Sequence, residues 1–304
     1  MKMKKIALLL GGPSAEKKVS LETGKHVYKS LQELGYLVKK IHVSSNKKIF
    51  IEKLKKFNPD FIFNALHGTF GEDGQVQRIL DKLKIKYSHS GAKASEIAMN
   101  KKKTKLVFKK INIPFPSDLI LNENNFKKKI KRIPFKFPLV IKPINEGSSV
   151  GVKICKNIKE LKNYRLGKKI NYLLEEYIPG RELTVGVVNN RVLDVIELKT
   201  KNLFYDYNSK YTKGLTKYII PASIPKSIEI KCKKYALKIH KFLNCKGITR
   251  TDFRFDNKDI LKKKIYVLEI NTQPGMTPLS LVPKMAKYKG ITFNMLVKKI
   301  IDDI

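Results

Sequence analysis

The chain contains no tryptophan and, in 304 residues, only three cysteines, 26 acidic residues and seven arginines among 64 basic ones. Each shortage excludes something. Cys155, Cys232 and Cys245 are odd in number and widely spaced, which excludes a disulfide framework and a cysteine-built zinc site and makes a reducing cytoplasm the expected location. No apolar run approaches the roughly 18 residues a membrane span needs. Residues 6–10 are apolar but stop at Gly11-Gly12, short of the ~7 to 15 residues of a secretory leader core. Neither G-x-G-x-x-G nor G-x-x-x-x-G-K-[ST] occurs, so a Rossmann fingerprint and a P-loop are absent, and any nucleotide must be held another way.

What is present in excess is lysine. The formal net charge is +38, while a 42% hydrophobic content excludes disorder. Such a charge raises nucleic acid as a partner, because basic side chains neutralise phosphates. The distribution argues against it: the 57 lysines run in doublets and triplets through nearly every segment, whereas nucleic-acid readers favour arginine at specific contacts. A nucleic-acid protein would also interleave its cations with aromatics on one face. The cluster Phe204-Tyr205-Tyr207-Tyr211 is instead threaded with Asp206. The lysines read as a solvated surface.

Short apolar runs at residues 5–10, 37–43 and 61–66 alternate with longer mixed segments, which predicts a βαβ unit with a parallel sheet over residues 1–95. Gly11-Gly12-Pro13-Ser14 after the first run opens a helix. A lysine-rich helix at 100–110 and the break Ile113-Pro114-Phe115-Pro116 lead into an α+β block, residues 96–180, with strands at 139–142, 150–155 and 172–176. The third block, residues 181–304, carries strands over 183–198, a loop over 199–219, a helix near 227–243, two strong strands and a terminal helix. The fold class is thus α/β and α+β, three blocks around a shared cleft.

Two segments carry the chemistry. Residues two apart on a strand share a face, so Arg250 and Asp252 point together, as do Glu269 and Asn271, with Tyr266, Leu268 and Ile270 expected on the opposite face. Oxygen ligands without His or Cys suit Mg²⁺, which completes its shell with substrate phosphates and so points to ATP. Lys142 ends an apolar strand and needs an anion, Lys101 offers a second cation, and Glu146-Gly147-Ser148-Ser149-Val150-Gly151 is a small-residue loop able to close over phosphates. Glu175 and Glu182 are placed to meet an adenine amino group and a ribose hydroxyl. His26, His42, His89 and His240 read as structural or exposed, and the cysteines as packing residues.

Five ordered motifs then converge. Gly11-Gly12-Pro13-Ser14-Ala15-Glu16 through Ser20, Leu66-His67-Gly68 with Gly71-Glu72-Asp73-Gly74, Lys142-Pro143 with the loop 146–151, Tyr205-Asp206-Tyr207 with Lys210-Tyr211, and Glu269-Ile270-Asn271-Thr272-Gln273-Pro274-Gly275-Met276-Thr277 resemble the D-alanine:D-alanine ligases over the whole chain. The resemblance implies a three-domain ATP-grasp fold, a homodimer joined through the first domain, and a reaction. ATP phosphorylates one D-alanine carboxylate, and the amine of a second D-alanine attacks the acyl phosphate to give the dipeptide used in peptidoglycan synthesis.

Residue by residue, the resemblance implies that Glu16 holds the first D-alanine's ammonium with His67 beside it, and that Glu16, Ser148 and Tyr211 form a hydrogen-bonded set closing a loop over the site. Arg250 and the Gly275 N–H would stabilise the oxyanion, while Ser280 with Leu281 would clamp the second carboxylate. ATP would meet Lys101, Lys142, Glu146, Ser149, Glu175, Tyr177, Ile178, Glu182 and Lys210. Asp252, Glu269 and Asn271 would hold two Mg²⁺ or Mn²⁺ ions. Two departures stand out: Asn100 where the family more often has Asp, and Glu176 where it often has Lys. Tyr211 favours an amine nucleophile over D-lactate, and the D-lactate-forming alternative turns on Glu16, Tyr211 and Ser280, which face the amino-acid substrate.

Overall fold

The computed structural model describes residues 3–200, 215–257 and 264–303. Strand β1 (Lys5–Gly11) is buried along both faces, and its alternation divides two cores. Ile6, Leu8 and Leu10 face helix α1 (Lys17–Glu33) through Val27 and Leu31, while Ala7 and Leu9 face α2 (Lys47–Phe57) and α3 (Gln75–Lys82) through Phe50, Leu54, Val76 and Leu80. A continuous apolar run is what a parallel strand covered on both sides requires. β1 pairs in parallel with β2 (Leu37–Val43) on one side and β3 (Phe61–Asn64) on the other, giving the order β2-β1-β3. The apolar run expected to reach residue 66 leaves the sheet at Asn64, whose side-chain amide donates to the Gly71 carbonyl and to Gln273 Oε1.

Helices α4 (Ala92–Met99) and α5 (Lys101–Lys110) follow. Asn100 caps α5, its Oδ1 accepting from the Lys103 N–H at 2.9 Å. Asn and Asp cap equally well, so the departure at this position keeps the local job. A second sheet, antiparallel and ordered β4-β7-β5-β6, comprises β4 (Asp118–Leu121), β5 (Leu139–Pro143), β6 (Lys153–Cys155) and β7 (Tyr172–Glu176). β6 begins at Lys153, not at residue 150, because Ser148, Ser149 and Gly151 adopt positive φ and turn the chain out of the strand direction. The short α6 (Phe126–Lys129) and α7 (Ile158–Lys162) flank this sheet.

The third sheet is antiparallel in the order β10-β9-β8-β11-β12, from β8 (Arg181–Val188), β9 (Arg191–Thr200), β10 (Thr216–Ile219), β11 (Ile248–Asp256) and β12 (Lys264–Asn271). The segment 199–219, expected to be a loop, is strand at both described ends: β9 runs to Thr200, where it pairs with Thr216 of β10. α8 (Lys226–Phe242) covers one face with Ile228, Cys232, Ala236 and Ile239, joined by Ala94, Ala98 and Phe108 of α4 and α5. α9 (Leu281–Tyr288) and α10 (Phe293–Asp302) cover the other and share a core with β1 and α1. That shared core seats the first sheet on the last helices and brings the α1 amino end to the third sheet's edge. All three cysteines are buried and free, and burial pushes the Cys232 and Cys245 thiols up to about 12. They pack, as expected. No helix among the described residues is long and apolar enough to cross a membrane.

Candidate active site

Two adjoining clefts lie where the three sheets meet. The first, about 920 Å³ including its mouth open to solvent, lies between β5, β6 and β7 on one side and β11 and β12 on the other. Val140, Val152, Ile154, Ile178 and Leu268 give it apolar walls, and Lys101, Lys142, Glu175, Glu182, Asp252 and Glu269 give it charged ends. The second, about 740 Å³ including its mouth open to solvent, is bounded by Glu16, His67, Ser148, Arg250, Asn271 and Gly275. Lys101, Glu146, Gly147 and Glu269 line both.

The structure brings most of the residues singled out in the sequence to these two clefts. Lys101, Lys142, Glu146, Ser149, Glu175, Tyr177, Ile178 and Glu182 all line the first cleft. Glu16, His67, Ser148, Arg250 and Gly275 line the second. Tyr211 and Lys210 lie outside the described residues. Ser280 and Leu281 stand at the start of α9, beside the second cleft and not on its wall: Ser280 Oγ accepts from the Thr277 N–H at 3.1 Å, and the Leu281 side chain is buried in the core.

Glu16 precedes α1, and Ser148 Oγ donates to its Oε1, tying the 146–151 loop to the amino end of the first helix. Gly68, at φ +68°, passes so close that an added Cβ would stand 2.6 Å from Glu16 Oε2, which explains a glycine there. His67 is buried between Thr23, whose hydroxyl is 2.9 Å from Nε2, and Glu72, whose carboxylate is 2.6 Å from Nδ1. Burial alone pushes the imidazole down, but the hydrogen bond and charge of Glu72, with the charge of Glu16, outweigh it and hold its pKa above the usual 6.5.

On β11 and β12, Asp252 is cross-strand partner to Glu269 and Arg250 to Asn271. Arg250 grips Asp252 through Nε at 2.9 Å and Nη2 at 2.8 Å, and the Thr184 hydroxyl donates to Asp252 at 2.6 Å. One expectation needs correcting. A β-bulge shifts the register between Asp252 and Phe253, so Leu268 is an extra residue and strict alternation fails. Ile265, Val267 and Ile270 are buried, while Leu268 and Glu269 both face the first cleft. Glu269 follows an apolar run, which predicts a buried strand end, yet its side chain is 36% exposed, 3.9 Å from Lys101 Nζ. Asp252, Glu269 and Asn271 supply two carboxylates and a carboxamide, and no group of three or more His, Cys, Asp or Glu suited to a metal exists among the described residues. An all-oxygen set of this kind still fits Mg²⁺ or Mn²⁺, which draw their remaining ligands from water and phosphate.

Lys142 Nζ is 2.5 Å from Glu175 Oε1, and Lys101 Nζ donates to the Glu146 carbonyl at 2.5 Å. Glu175 is buried, which raises a carboxyl, but Lys142 and Lys105 outweigh this and keep it below the usual range. Glu176 also lines the first cleft, and its Oε2 accepts from the Ser117 N–H at 3.3 Å.

Sequence reasoning missed Arg254 and Lys105. Arg254 donates through Nε to the Ile178 carbonyl at 3.0 Å, stands 3.5 Å from Glu182 and lies 5.6 Å from the Tyr177 ring centre. Its alternation with Arg250 and Asp252 along β11 was the available signal. Lys105, one turn after Lys101 on a lysine-rich helix, offered none.

The match to known proteins follows this geometry. Residues 107–302 match the family model described as the D-ala D-ala ligase C-terminus. A D-alanine–D-alanine ligase of Pelagibacter ubique is 48% identical, over 99% of this chain and 98% of its own. The chain belongs to the D-alanine–D-alanine ligase family. The crystal structure of the Bacillus anthracis D-alanine–D-alanine ligase superposes with a TM-score of 0.84 at 34% identity, covering 99% of this chain and 97% of that one. The same enzyme's complex with ATP gives 0.80 at 32% identity, covering 100% and 97%. The family's fold is ATP-grasp, and the three-stranded parallel sheet at the amino end belongs to it.

Proposed function

We propose that this protein joins two D-alanine molecules to D-alanyl-D-alanine at the expense of ATP, as a carbon–nitrogen ligase for peptidoglycan synthesis. The observation that carries the reading is the shared wall. Lys101, Glu146, Gly147 and Glu269 border both clefts, so the terminal phosphate of a nucleotide in the first reaches an amino acid in the second.

In this reading the three units span residues 1–95, 96–180 and 181–304. Glu175, Tyr177, Ile178 and Glu182 take the base and ribose, while Lys101, Lys142, Glu146, Ser149 and Lys210 take the phosphates. Asp252, Glu269 and Asn271 would hold two Mg²⁺ or Mn²⁺ ions, whose chemistry is to neutralise phosphate oxygens. Glu16, with His67 beside it, binds the first D-alanine's ammonium and turns its carboxylate toward the γ-phosphorus. That carboxylate oxygen forms a bond to phosphorus as the bond to the ADP oxygen breaks. The second D-alanine's ammonium gives one proton to solvent, the free amine attacks the acyl carbon, phosphate leaves with the C–O electron pair, and the nitrogen's surplus proton passes to that phosphate. Arg250 and the Gly275 N–H stabilise the intervening oxyanion, Ser280 and Leu281 hold the second carboxylate, and Ser148 and Tyr211 close the site against water. The protein works in the cytoplasm as a homodimer, which light scattering tests.

Phosphate release from ATP, measured with D-alanine, with L-alanine, and with D-alanine plus D-lactate, each with and without Mg²⁺, tests the reading. Metal-dependent release with D-alanine alone, yielding dipeptide, is the expected result. Release only with another acid or amine would keep the fold and overturn the substrate assignment.

A further inference from the structure

Lys105 is a fully buried ammonium, its side chain 2% exposed, on the face of α5 turned toward the central sheet. Burying such a charge costs several kcal/mol unless its donors are satisfied, and here they are. Nζ donates to the Pro116 carbonyl at 2.8 Å and to Glu175 Oε2 at 2.7 Å, and stands 3.4 Å from Asp118 Oδ1. The other Glu175 oxygen, Oε1, faces Lys142 at 2.5 Å. Asp118 and Glu175 are cross-strand partners on β4 and β7, and Asp118 also takes Lys102 at 3.0 Å. Glu175 is therefore held from both sides: Lys142, which lines the first cleft, on one oxygen, and Lys105, which does not, on the other.

We infer that Lys105 is a positioning residue for nucleotide binding, acting through Glu175; this rests on the reading of the first cleft as the ATP site. Lys105 fixes the carboxylate's rotation, because a hydrogen bond to one oxygen determines where the other points. It also shares the Glu175 charge. Without it the cation left on Glu175 among the described residues is Lys142, and a lysine committed to a full buried carboxylate charge is less able to meet the nucleotide.

Lys105→Met is expected to raise the KM for ATP about tenfold, the factor that ~1.4 kcal/mol represents. The KM for D-alanine and kcat at saturating ATP should stay within a few-fold. Lys105→Arg, which restores a buried cation, is expected to recover most of the loss. A structural role alone would lower the melting temperature and move both KM values together, and either that pattern or an unchanged KM for ATP would overturn the inference. Should Lys105→Met not fold, the charge-balanced pair Lys105→Met with Asp118→Asn takes its place, with the same expected split. Calorimetric binding of Mg·ATP in the absence of amino acid separates the two readings. If the wild-type protein binds ATP but releases no phosphate with D-alanine, the substrate assignment fails while weaker ATP binding by Lys105→Met still supports the role of Lys105. If the wild-type protein binds no ATP, both fail.

Discussion

Arg250 occupies two positions in one: its guanidinium grips Asp252, and it forms part of the wall of the second cleft. Losing an oxyanion donor typically costs ~10² to 10³ in rate, so Arg250→Ala is expected to nearly abolish dipeptide formation. Its unfolding midpoint should change little, because the pair it leaves is only partly buried. Turnover within a few-fold of wild type would remove Arg250 from this role. The residue scale also shows what a motif conceals. His67 is legible as a conspicuous histidine in Leu66-His67-Gly68, but its two clamps, Thr23 and Glu72, come from a helix and a turn whose approach no local pattern announces.

Among the elements, the join between β7 and β8 is the most constrained. Gly180, at φ +95°, faces the end of β11 so closely that a Cβ would stand 2.2 Å from the Phe255 carbonyl oxygen. Backbone strain of this kind costs about 1 to 3 kcal/mol, so Gly180→Ala should lower the unfolding free energy by at least that much, read as a lower urea midpoint. The same substitution should weaken ATP binding, since Tyr177, Ile178 and Glu182 on either side of the join line the first cleft. An unchanged midpoint would mean that the two strands separate without penalty. β12 is an instructive contrast. Its apolar periodicity marks a strand, yet the bulge at Leu268 is invisible to a period-two reading and decides which side chains reach the cleft.

For the molecule as a whole, two buried histidines set the response to acid. Burial, aided by the charge of His67, holds His89 down to about 3 from 6.5, and burial holds His240 down to about 4. Both groups bind protons more readily in the unfolded chain, so their folded-state contribution is complete above about pH 6.5 and is lost as pH falls toward their folded values. The slope is up to roughly 1.4 kcal/mol per pH unit for each group. The urea midpoint should therefore fall between about pH 6.5 and pH 5, above most carboxylate titration. A flat midpoint across that window would mean that neither imidazole titrates on unfolding.

Much was legible in advance for a physical reason: the signals involved are local. Alternating apolar runs marked β1, β2, β5 and β7, and the clustered motifs at 11–20, 66–74, 142–151 and 269–277 each keep their residues within a few positions of one another. The sequence alone thus determined the order of elements, the family and the chemical types that meet at the clefts. Tertiary structure alone decided how those types pair. Arg254 reaches Ile178 across 76 positions, Lys105 reaches Glu175 across 70, and Ser148 reaches Glu16 across 132. Contacts that span such distances depend on how three sheets pack and where one strand bulges, and these are properties of the assembled core that no single segment encodes.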